Sequence, residues 1–527
     1  MNGATTRREA LHSGLALYLA SQLPAPPGSG AAAARRGALH RHGSFDSGIA
    51  SGDPHRHGIT LWTRLHGVGR PGRVGWEIAA DPDFARVLDA GTARAAHVHD
   101  HTVHAKVRSK RLKPGRPYWY RFHTRHSDSP VGRFRTRPAR GSRTPLRIAV
   151  YSCQDYQTGF YAAHRDIAAQ DDLDLVVMVG DYIYERAAAP GVRADTTGAN
   201  RDGDVQTFRE YRDKYRLYRS DPNLQAMHAA HPHLAFWDSH DVEPHDSADP
   251  STDPYGRPRR VPHAQRLRNG IRAFLEAMPQ QHPADPRRIY RRVNLGALGT
   301  VYLTDEQLYG DPYPCPFTFP PDGCPEANAP DRTYLGAAQK SWLKRSLAAE
   351  SAKWKLYLGG TMMMSFDFSP GNPYNTGQWD GFVAERRELM QHILDNRIDN
   401  VVRLSGDIHT FFAGRVTTTG RIDGTAAAVE FIGGSISSLG IPEGLAAGSG
   451  GTADPALIAQ LTNHARDTNP HIDYIETVHR GYKLIEVDED ELRVSFRAPE
   501  DARDPNTAVR TLARFTVPAG EPVIVPA

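Results

Sequence analysis

Four apolar segments of this sequence are each followed directly by residues of types that can bind metals. The segments have the pattern of strands, so these residues would lie at strand ends. The segments are short and continuously apolar, as is typical of strands buried on both faces of a sheet. In open α/β sheets, ligands bind beyond the carboxyl ends of the strands, so side chains distant in sequence converge there. One such group alone would indicate a turn or a structural histidine, but four together predict a shared site. The groups are Ser152-Cys153, Gly180-Asp181-Tyr182-Ile183-Tyr184, Asp238-Ser239-His240-Asp241 and Ser405-Gly406-Asp407-Ile408-His409.

The acidic and thiol groups of this site require cations. Asp181, Asp407 and Asp238 or Asp241, packed with a Cys153 thiolate, would repel one another unless metal ions neutralised them. Carboxylates favour Ca²⁺, Mg²⁺ or Mn²⁺, while a thiolate, a phenolate and an imidazole favour a more Lewis-acidic ion such as Fe³⁺. Two ions about 4 Å apart clamp the attacking and leaving oxygens of a phosphoryl displacement. The pattern therefore predicts a binuclear or larger site.

The composition describes a water-soluble globular protein. Its 527 residues suffice for two or three compact units, and 39% are hydrophobic. The 64 basic and 60 acidic residues nearly cancel, and without a block of like charges we expect no nucleic-acid-binding patch. No segment has eighteen consecutive apolar residues, so we expect no membrane span. We expect a monomer.

The amino terminus predicts export. Arg7-Arg8 precede a modest apolar run, Leu15 to Leu23, and then a segment rich in Pro, Gly and Ala. This order is similar to a twin-arginine signal, which exports folded proteins. Residues 1–40 are thus predicted to be an export signal and flexible segment of a secreted or cell-envelope protein. The alternative is an ordinary basic start.

The chain has three cysteines. Cys315 and Cys324 flank a Pro-rich stretch, where a disulfide would close a short surface loop. Cys153 is left over, as a buried small residue or a functional thiolate.

The periodicity divides the chain in two. Residues 44–138 show short alternating runs broken by Gly, Pro and Asp, which predicts a small all-β sandwich of the fibronectin or immunoglobulin type. From 145 to 520, apolar runs separated by helical stretches predict an α/β domain, which ends in a β-hairpin. The predicted strands are 146–151, 175–179, 234–237, 355–358 and 401–404, and the predicted helices are 160–169, 207–218, 339–349 and 384–394.

At these motifs the sequence resembles the PhoD-like alkaline phosphatases, a family that includes phosphodiesterase and phospholipase D activities. The resemblance spans nearly the whole chain in order. Its motifs are Gly-Ile-Ala-Ser-Gly-Asp-Pro at 48–54, Leu-Trp-Thr-Arg at 61–64, Ser-Cys-Gln at 152–154, Gly-Asp-Tyr-Ile-Tyr-Glu at 180–185, Asp-Ser-His-Asp-Val-Glu at 238–243, Trp-Asp-Gly-Phe at 379–382 and Gly-Asp-Ile-His at 406–409.

The resemblance implies a particular metal complement. One Fe³⁺ would be held by a bridging Asp181 with Tyr184, Cys153 and His409, beside one or two Ca²⁺ ions, although other divalent metals are possible. Asp407 would bind the neighbouring ion, and His240 would protonate the leaving oxygen. The implied fold is a metallophosphoesterase-like β-sandwich flanked by helices.

The sequence departs from the family pattern at Ser239. The family shows two aspartates before the histidine, whereas this chain has Asp238 followed by Ser239. Serine is a poor ligand for a hard cation. Asp238 or a water then fills the position, Asp246 compensates, or the Ca²⁺ side is weakened.

We therefore expect a hydrolase of phosphate mono- or diesters that uses a metal-bound hydroxide as nucleophile. A phospholipase D type diesterase is the nearest alternative, which an exposed apolar rim at the pocket would favour. A non-catalytic surface-binding protein with a degenerate metal site is the remaining alternative, and Ser239 is its only support.

Overall fold

The structure is a computed structural model that describes residues 39–186, 191–243, 249, 251–253, 256–315, 323–449 and 454–527. The predicted export signal, apart from its last two residues, and Asp246 lie outside these ranges.

Strands and helices alternate after a run of strands. The strands are β1 (Ile49–His55), β2 (Gly58–Arg64), β3 (Gly72–Ala79), β4 (Val87–Ala95), β5 (Thr102–Arg108), β6 (Pro117–His123), β7 (Gly132–Arg135), β8 (Leu146–Tyr151), β9 (Leu175–Val179), β10 (Pro232–Phe236), β11 (Arg291–Asn294), β12 (Gly299–Leu303), β13 (Trp354–Leu358), β14 (Asp367–Ser369), β15 (Asn372–Pro373), β16 (Val401–Ser405), β17 (Phe411–Thr417), β18 (Ala426–Ile432), β19 (Ile472–Glu476), β20 (Tyr482–Val487), β21 (Glu491–Pro499), β22 (Val509–Pro518) and β23 (Val525–Pro526). The helices are α1 (Ala162–Ala168), α2 (Phe208–Tyr218), α3 (Pro222–Ala230), α4 (Ser239–Val242), α5 (His263–Ala277), α6 (Gly336–Ala348), α7 (Val383–Asp395), α8 (Ile441–Ser449) and α9 (Pro455–Thr468).

Two large sheets face each other across one core. The first has ten strands in the order β23-β22-β21-β20-β8-β9-β10-β1-β2-β5, and the second has seven in the order β11-β12-β13-β16-β18-β17-β19. Apolar side chains of both sheets, among them Val177 and Leu404, belong to the same buried cluster. Helices α6 and α7 pack on the second sheet through a separate cluster that includes Leu343 and Leu389. The predicted α/β fold is thus confirmed.

The apolar runs of the sequence correspond closely to parallel strands. β8, β9 and β10 are parallel neighbours in the first sheet. β12, β13, β16 and β18 are parallel neighbours in the second. The closing hairpin also forms as predicted, since β20 pairs with β21 and adds itself antiparallel to β8.

The amino-terminal strands differ from an independent sandwich. Strand β1 pairs in parallel with β10, so β1, β2 and β5 continue the ten-stranded sheet. The order β4-β3-β6-β7 forms a separate sheet, and a common core with Ile59, Val74 and Tyr120 joins the two layers. Local alternation predicts these strands but not a pairing partner far along the chain. The fibronectin-type assignment and the domain boundaries stay predictions.

Helix α2 shows how local sequence places its aromatic residues. Thr207 and Glu210 form a capping box that begins the helix. Tyr211, Tyr215 and Tyr218 then recur at helical spacing and are buried in the main core.

The cysteines pair as predicted, because Cys315 and Cys324 form a disulfide and Cys153 is a buried free thiol. Within the described ranges, no helix combines the length and apolar character needed to cross a bilayer.

Three buried histidines, His164, His228 and His233, lie close together beside β8 and β10. His233 Nε2 lies 3.0 Å from the Tyr151 hydroxyl, and the rings of His228 and His233 are 4.7 Å apart. Burial lowers the pKa of His228 and His233 well below its usual range, and that of His164 to about 3. An unfolded histidine titrates near pH 6.5, so below that pH the unfolded chain binds more protons than the folded one. Stability is therefore full above pH 6.5 and decreases as the pH falls from there towards the folded pKa values.

We expect acid pH to destabilise the metal-free protein through these histidines. Each should contribute a loss of about 1.4 kcal/mol in the free energy of unfolding per pH unit below 6.5. His164→Gln removes one titrating group, so its loss between pH 7.5 and 5.5 should be smaller by about 1.4 kcal/mol. Urea unfolding followed by tryptophan fluorescence measures both losses. Equal losses would contradict this account.

Candidate metal centre

The sequence-predicted site residues converge where the two sheets meet. Cys153 follows β8, Asp181 follows β9 and Asp238 follows β10, all in the first sheet, whereas Asp407 follows β16 of the second. The sequence predicted successive strands of one domain but did not show that two facing sheets supply them. The candidate site therefore lies between two sheet edges.

Four candidate donor groups, from Cys153, Asp181, Tyr184 and His409, are linked by a chain of close contacts. The Oδ2 atom of Asp181 lies 3.7 Å from the Cys153 sulfur and 3.5 Å from the Tyr184 hydroxyl. That hydroxyl lies 3.1 Å from Nε2 of His409. Nδ1 of His409 lies 2.6 Å from the Leu439 carbonyl and donates to it, which leaves Nε2 with a lone pair for a metal.

Protein N–H groups orient each carboxylate by one oxygen. The His240 amide donates to Asp181 Oδ1 at 3.1 Å, and the Ser239 amide donates to Asp238 Oδ1 at 2.7 Å. The side-chain amides of Gln307 and Gln378 donate to Asp238 and Asp407, respectively. Outer contacts of this kind typically fix ligand orientation in metal sites. Sequence reasoning missed both glutamines, which carry no local signal.

The electrostatics of the cluster disfavour its negative charges. Burial, followed by the charge of Asp181, raises the pKa of the Cys153 thiol well above its usual range. Burial also raises the pKa of Asp181, and burial together with Asp181 and Asp407 raises that of Asp238 strongly. For Asp407, burial and Asp181 raise the pKa to about 6. Cations bound among these groups would reverse every one of these effects, so the donor set fits a metal cluster.

The backbone at these residues is strained. Cys153, Asp181, Asp407 and His409 have φ angles of 55°, 56°, 67° and 55°, in the left-handed region that non-glycine residues rarely adopt. Such strain costs about 1–3 kcal/mol per residue and typically clusters at functional sites. The chain therefore turns sharply at these candidate ligands, just after strands β8, β9 and β16.

Gly360 allows the closest approach in the site. A Cβ atom there would lie 1.7 Å from Asp238 Oδ2, and the Gly360 carbonyl also accepts the Gly406 amide at 2.8 Å. The loop after β13 therefore supports ligands from both sheets.

His240 is held by a buried glutamate that sequence reasoning did not select. Its Nδ1 lies 2.6 Å from Oε2 of Glu185, and its ring stacks on Tyr184 with centroids 4.1 Å apart. Burial alone would lower the pKa of His240, but Glu185 and Asp181 raise it to about 9. Glu185 stands directly after Tyr184 in the quoted motif, which was the available signal.

Asp241 has a structural position instead. Its Oδ1 accepts the amides of Tyr182 at 3.0 Å and Ile183 at 3.2 Å, and its Oδ2 accepts the Asp238 amide at 3.1 Å. Of the two alternatives from the sequence, Asp238 faces the cluster and Asp241 ties the loops together.

A cavity of about 470 Å³ opens onto the cluster. Asp181, Asp407 and His409 line it together with His240 and Ser239. The cluster is therefore accessible to a molecule of moderate size.

Family models match most of the chain. The model of the PhoD-like phosphatase matches residues 148–496, and that of the PhoD-like phosphatase N-terminal domain matches residues 30–138. Alkaline phosphatase D of Bacillus subtilis (strain 168) is 32% identical over 495 residues, which are 89% of this chain and 80% of that protein.

Solved structures show the same fold. A structure of PhoD superposes with a TM-score of 0.79 at 28% identity and covers 95% of this chain and 93% of its own. The purple acid phosphatase PPD1 from yellow lupin (Lupinus luteus) seeds matches with a TM-score of 0.52 at 12% identity, over 89% of this chain and 73% of its own. At that identity the lupin protein shows a shared fold alone.

We expect Asp238→Asn to change stability in opposite directions with and without metal. In chelated protein at pH 8 the variant should raise the unfolding midpoint, because it removes a charge that burial and Asp181 disfavour. In metal-loaded protein it should lower the midpoint, because bound metal stabilises only the chain that binds it. Thermal unfolding in both conditions measures this, with the exposed Asp490→Asn as the control. A lower unfolding midpoint in both conditions would contradict the argument that burial and Asp181 disfavour the charge of Asp238.

Proposed function

This chain belongs to the PhoD-like phosphatase family, and from that premise we propose that it is a metal-dependent alkaline phosphatase and phosphodiesterase. Family membership makes it a phosphoric ester hydrolase. The proposed substrates are phosphate mono- and diesters, with His240 as the acid. The observation that carries the proposal is the cavity that opens onto Asp181, Asp407, His409 and His240 together.

The donor chemistry supports one Fe³⁺ with one or two Ca²⁺ ions. Cys153, Tyr184 and His409 offer a thiolate, a phenolate and an imidazole to the ion beside Asp181, which suits Fe³⁺. Asp238 and Asp407 offer hard oxygens, which suit Ca²⁺. Bound there, the ions would supply Lewis acidity that activates water and neutralises charge on the phosphate oxygens. Asp238, whose charge interacts with those of Asp181 and Asp407, is the proposed oxygen ligand from this strand, in place of Ser239.

His240 is arranged to hold and deliver a proton. The contact of Nδ1 with Glu185 and the stacking on Tyr184 fix the ring beside the cavity, where His240 can give its proton to the leaving alcohol oxygen. Arg186 lines the same cavity and lies 3.9 Å from Glu185, and its positive charge favours a phosphate there. The chain thus provides an acid and a cation beside the proposed metals.

A phospholipase D type diesterase is the second candidate. The cavity is also lined by Phe366, Tyr374 and Phe412, and Phe368 at its edge is 45% exposed. An apolar rim of this kind suits a substrate with an apolar part. Release of choline from phosphatidylcholine tests this candidate.

The export proposal rests on Arg7-Arg8 and the apolar run after them. The disulfide between Cys315 and Cys324 supports an oxidising compartment, which secretion or the cell envelope would provide.

Hydrolysis of p-nitrophenyl phosphate and of its bis-ester at alkaline pH tests the proposed activity. We expect activity that disappears after chelation and returns when Fe³⁺ and Ca²⁺ are added together, because each set of ligands suits a different ion. The ratio of the two rates ranks mono- against diesterase preference. No turnover of either ester by protein with bound iron would contradict the proposal.

Substitution of His240 and of Glu185 should reduce turnover without loss of metal. We expect His240→Asn to lower kcat by about 10²–10⁴, the usual contribution of a general acid. Glu185→Gln, which keeps the size but weakens the hold on His240, should lower kcat by about tenfold or more. Elemental analysis should give both variants the metal content of the wild type. Loss of metal in either variant would instead assign that residue to the ligand framework.

A further inference from the structure

Helix α9 presents its apolar side to the cavity, and through Ala465 it also contacts the core of the second sheet. None of its residues is buried. Ile458, Leu461 and Ala465 recur at helical spacing, are half-buried and all line the cavity above the metal cluster. An amphipathic helix normally covers a hydrophobic core with such a face, whereas Ile458 and Leu461 of this helix line the cavity.

Aromatic side chains also line the cavity. The ring of Phe366 lies 5.6 Å from that of Tyr374 and 5.2 Å from that of Phe412. All three rings line the cavity, as do Phe368 and Ile475. The cavity therefore has an apolar part, which α9 and these side chains line, and a charged part at Asp181, His240 and Asp407.

Polar contacts at its edges hold α9 in place. Nε2 of His464 lies 2.8 Å from the Phe368 carbonyl, and the Arg466 guanidinium donates to the Ile475 carbonyl at 2.8 Å. Asn469, just after the helix, donates to the Asp367 carbonyl at 2.9 Å. The helix is thus anchored to both the segment 367–369 and β19, with Ile458 and Leu461 in the cavity lining.

We propose that the apolar part of the cavity is a binding subsite for an apolar organic group of the phosphate ester substrate. The inference rests on the proposed function and narrows its substrate class to phosphate esters of alkyl or aryl alcohols. With the phosphate at the charged part of the cavity, the organic group would extend into the apolar part that Leu461 and Phe412 line. The hydroxyls of a glycerol or sugar phosphate would meet apolar side chains there and lose their hydrogen bonds to water.

A series of n-alkyl phosphates tests the subsite by release of inorganic phosphate. From methyl to hexyl phosphate, kcat/KM should rise by about fourfold per methylene that enters the apolar part. Propyl phosphate should exceed glycerol phosphate, which has the same number of carbons, by about tenfold or more. Equal values along the series, or a preference for glycerol phosphate, would overturn the inference while leaving the phosphatase activity established.

A matched pair of variants on one helix locates the effect. Leu461→Ser should reduce the ratio of kcat/KM between hexyl and methyl phosphate by about tenfold or more, because it places a hydroxyl in the subsite. Leu457→Ser makes the same change at a residue that is 42% exposed and outside the cavity lining, so it should keep the wild-type ratio. Equal ratios in both variants would overturn the role of α9.

Binding measurements separate this inference from the proposed function. Calorimetry of methyl-, propyl- and hexylphosphonate, which are not hydrolysed, on metal-loaded protein should give Kd values that decrease with chain length, even without turnover. A flat series would overturn the subsite. Phosphatidylcholine vesicles then distinguish the source of the apolar group. Hydrolysis that Leu461→Ser abolishes would assign the subsite to lipids, whereas discrimination among soluble esters alone would assign it to free alkyl or aryl phosphates.

Discussion

The structure depends on the burial of like charges at one point. Asp181, Asp238, Asp407 and the Cys153 thiol meet where two sheets end, and burial raises the pKa of each. Without cations these groups would take up protons or separate. Metal ions bound there would stabilise this arrangement as well as supply the chemistry of the proposed function.

Buried ion pairs and hydrogen bonds surround the cluster. Behind the strand ends, Arg403 is fully buried and pairs with Glu306 at 2.6 Å, and Glu430 accepts the amide of Met364 at 2.7 Å in the loop after β13. Lys483 donates from β20 of the first sheet to carbonyls of β16 and β18 in the second. The Lys483 contacts join the two sheets, and the others tie strands and loops of the second sheet together. Breaking one partner of a buried pair is expected to be strongly destabilising, so the position of the site is fixed by the core itself.

The sequence predicted what depends on local pattern. Continuous apolar runs located β8, β9 and β16, because strands buried on both faces of a parallel sheet carry such runs. The candidate ligands directly after these strands lie close together, as that pattern predicted. The pairing of β1 with β10 and the facing of two sheets depend on contacts far apart in the chain, which periodicity does not encode. Glu185 and the apolar side of α9 were missed for a related reason. The role of such a glutamate depends on its contact with His240, and that of such a helix on the cavity that it lines, and neither neighbour can be read from the sequence.

Anomalous X-ray diffraction from crystals of the metal-loaded protein, recorded above and below the iron absorption edge, tests the central claim most directly. The account predicts an iron peak within bonding distance of Cys153, Asp181, Tyr184 and His409, with a second, lighter ion beside Asp407 and Asp238. An iron peak elsewhere, or crystals with bound iron in which the Tyr184 hydroxyl still donates to Asp181 or His409, would contradict it.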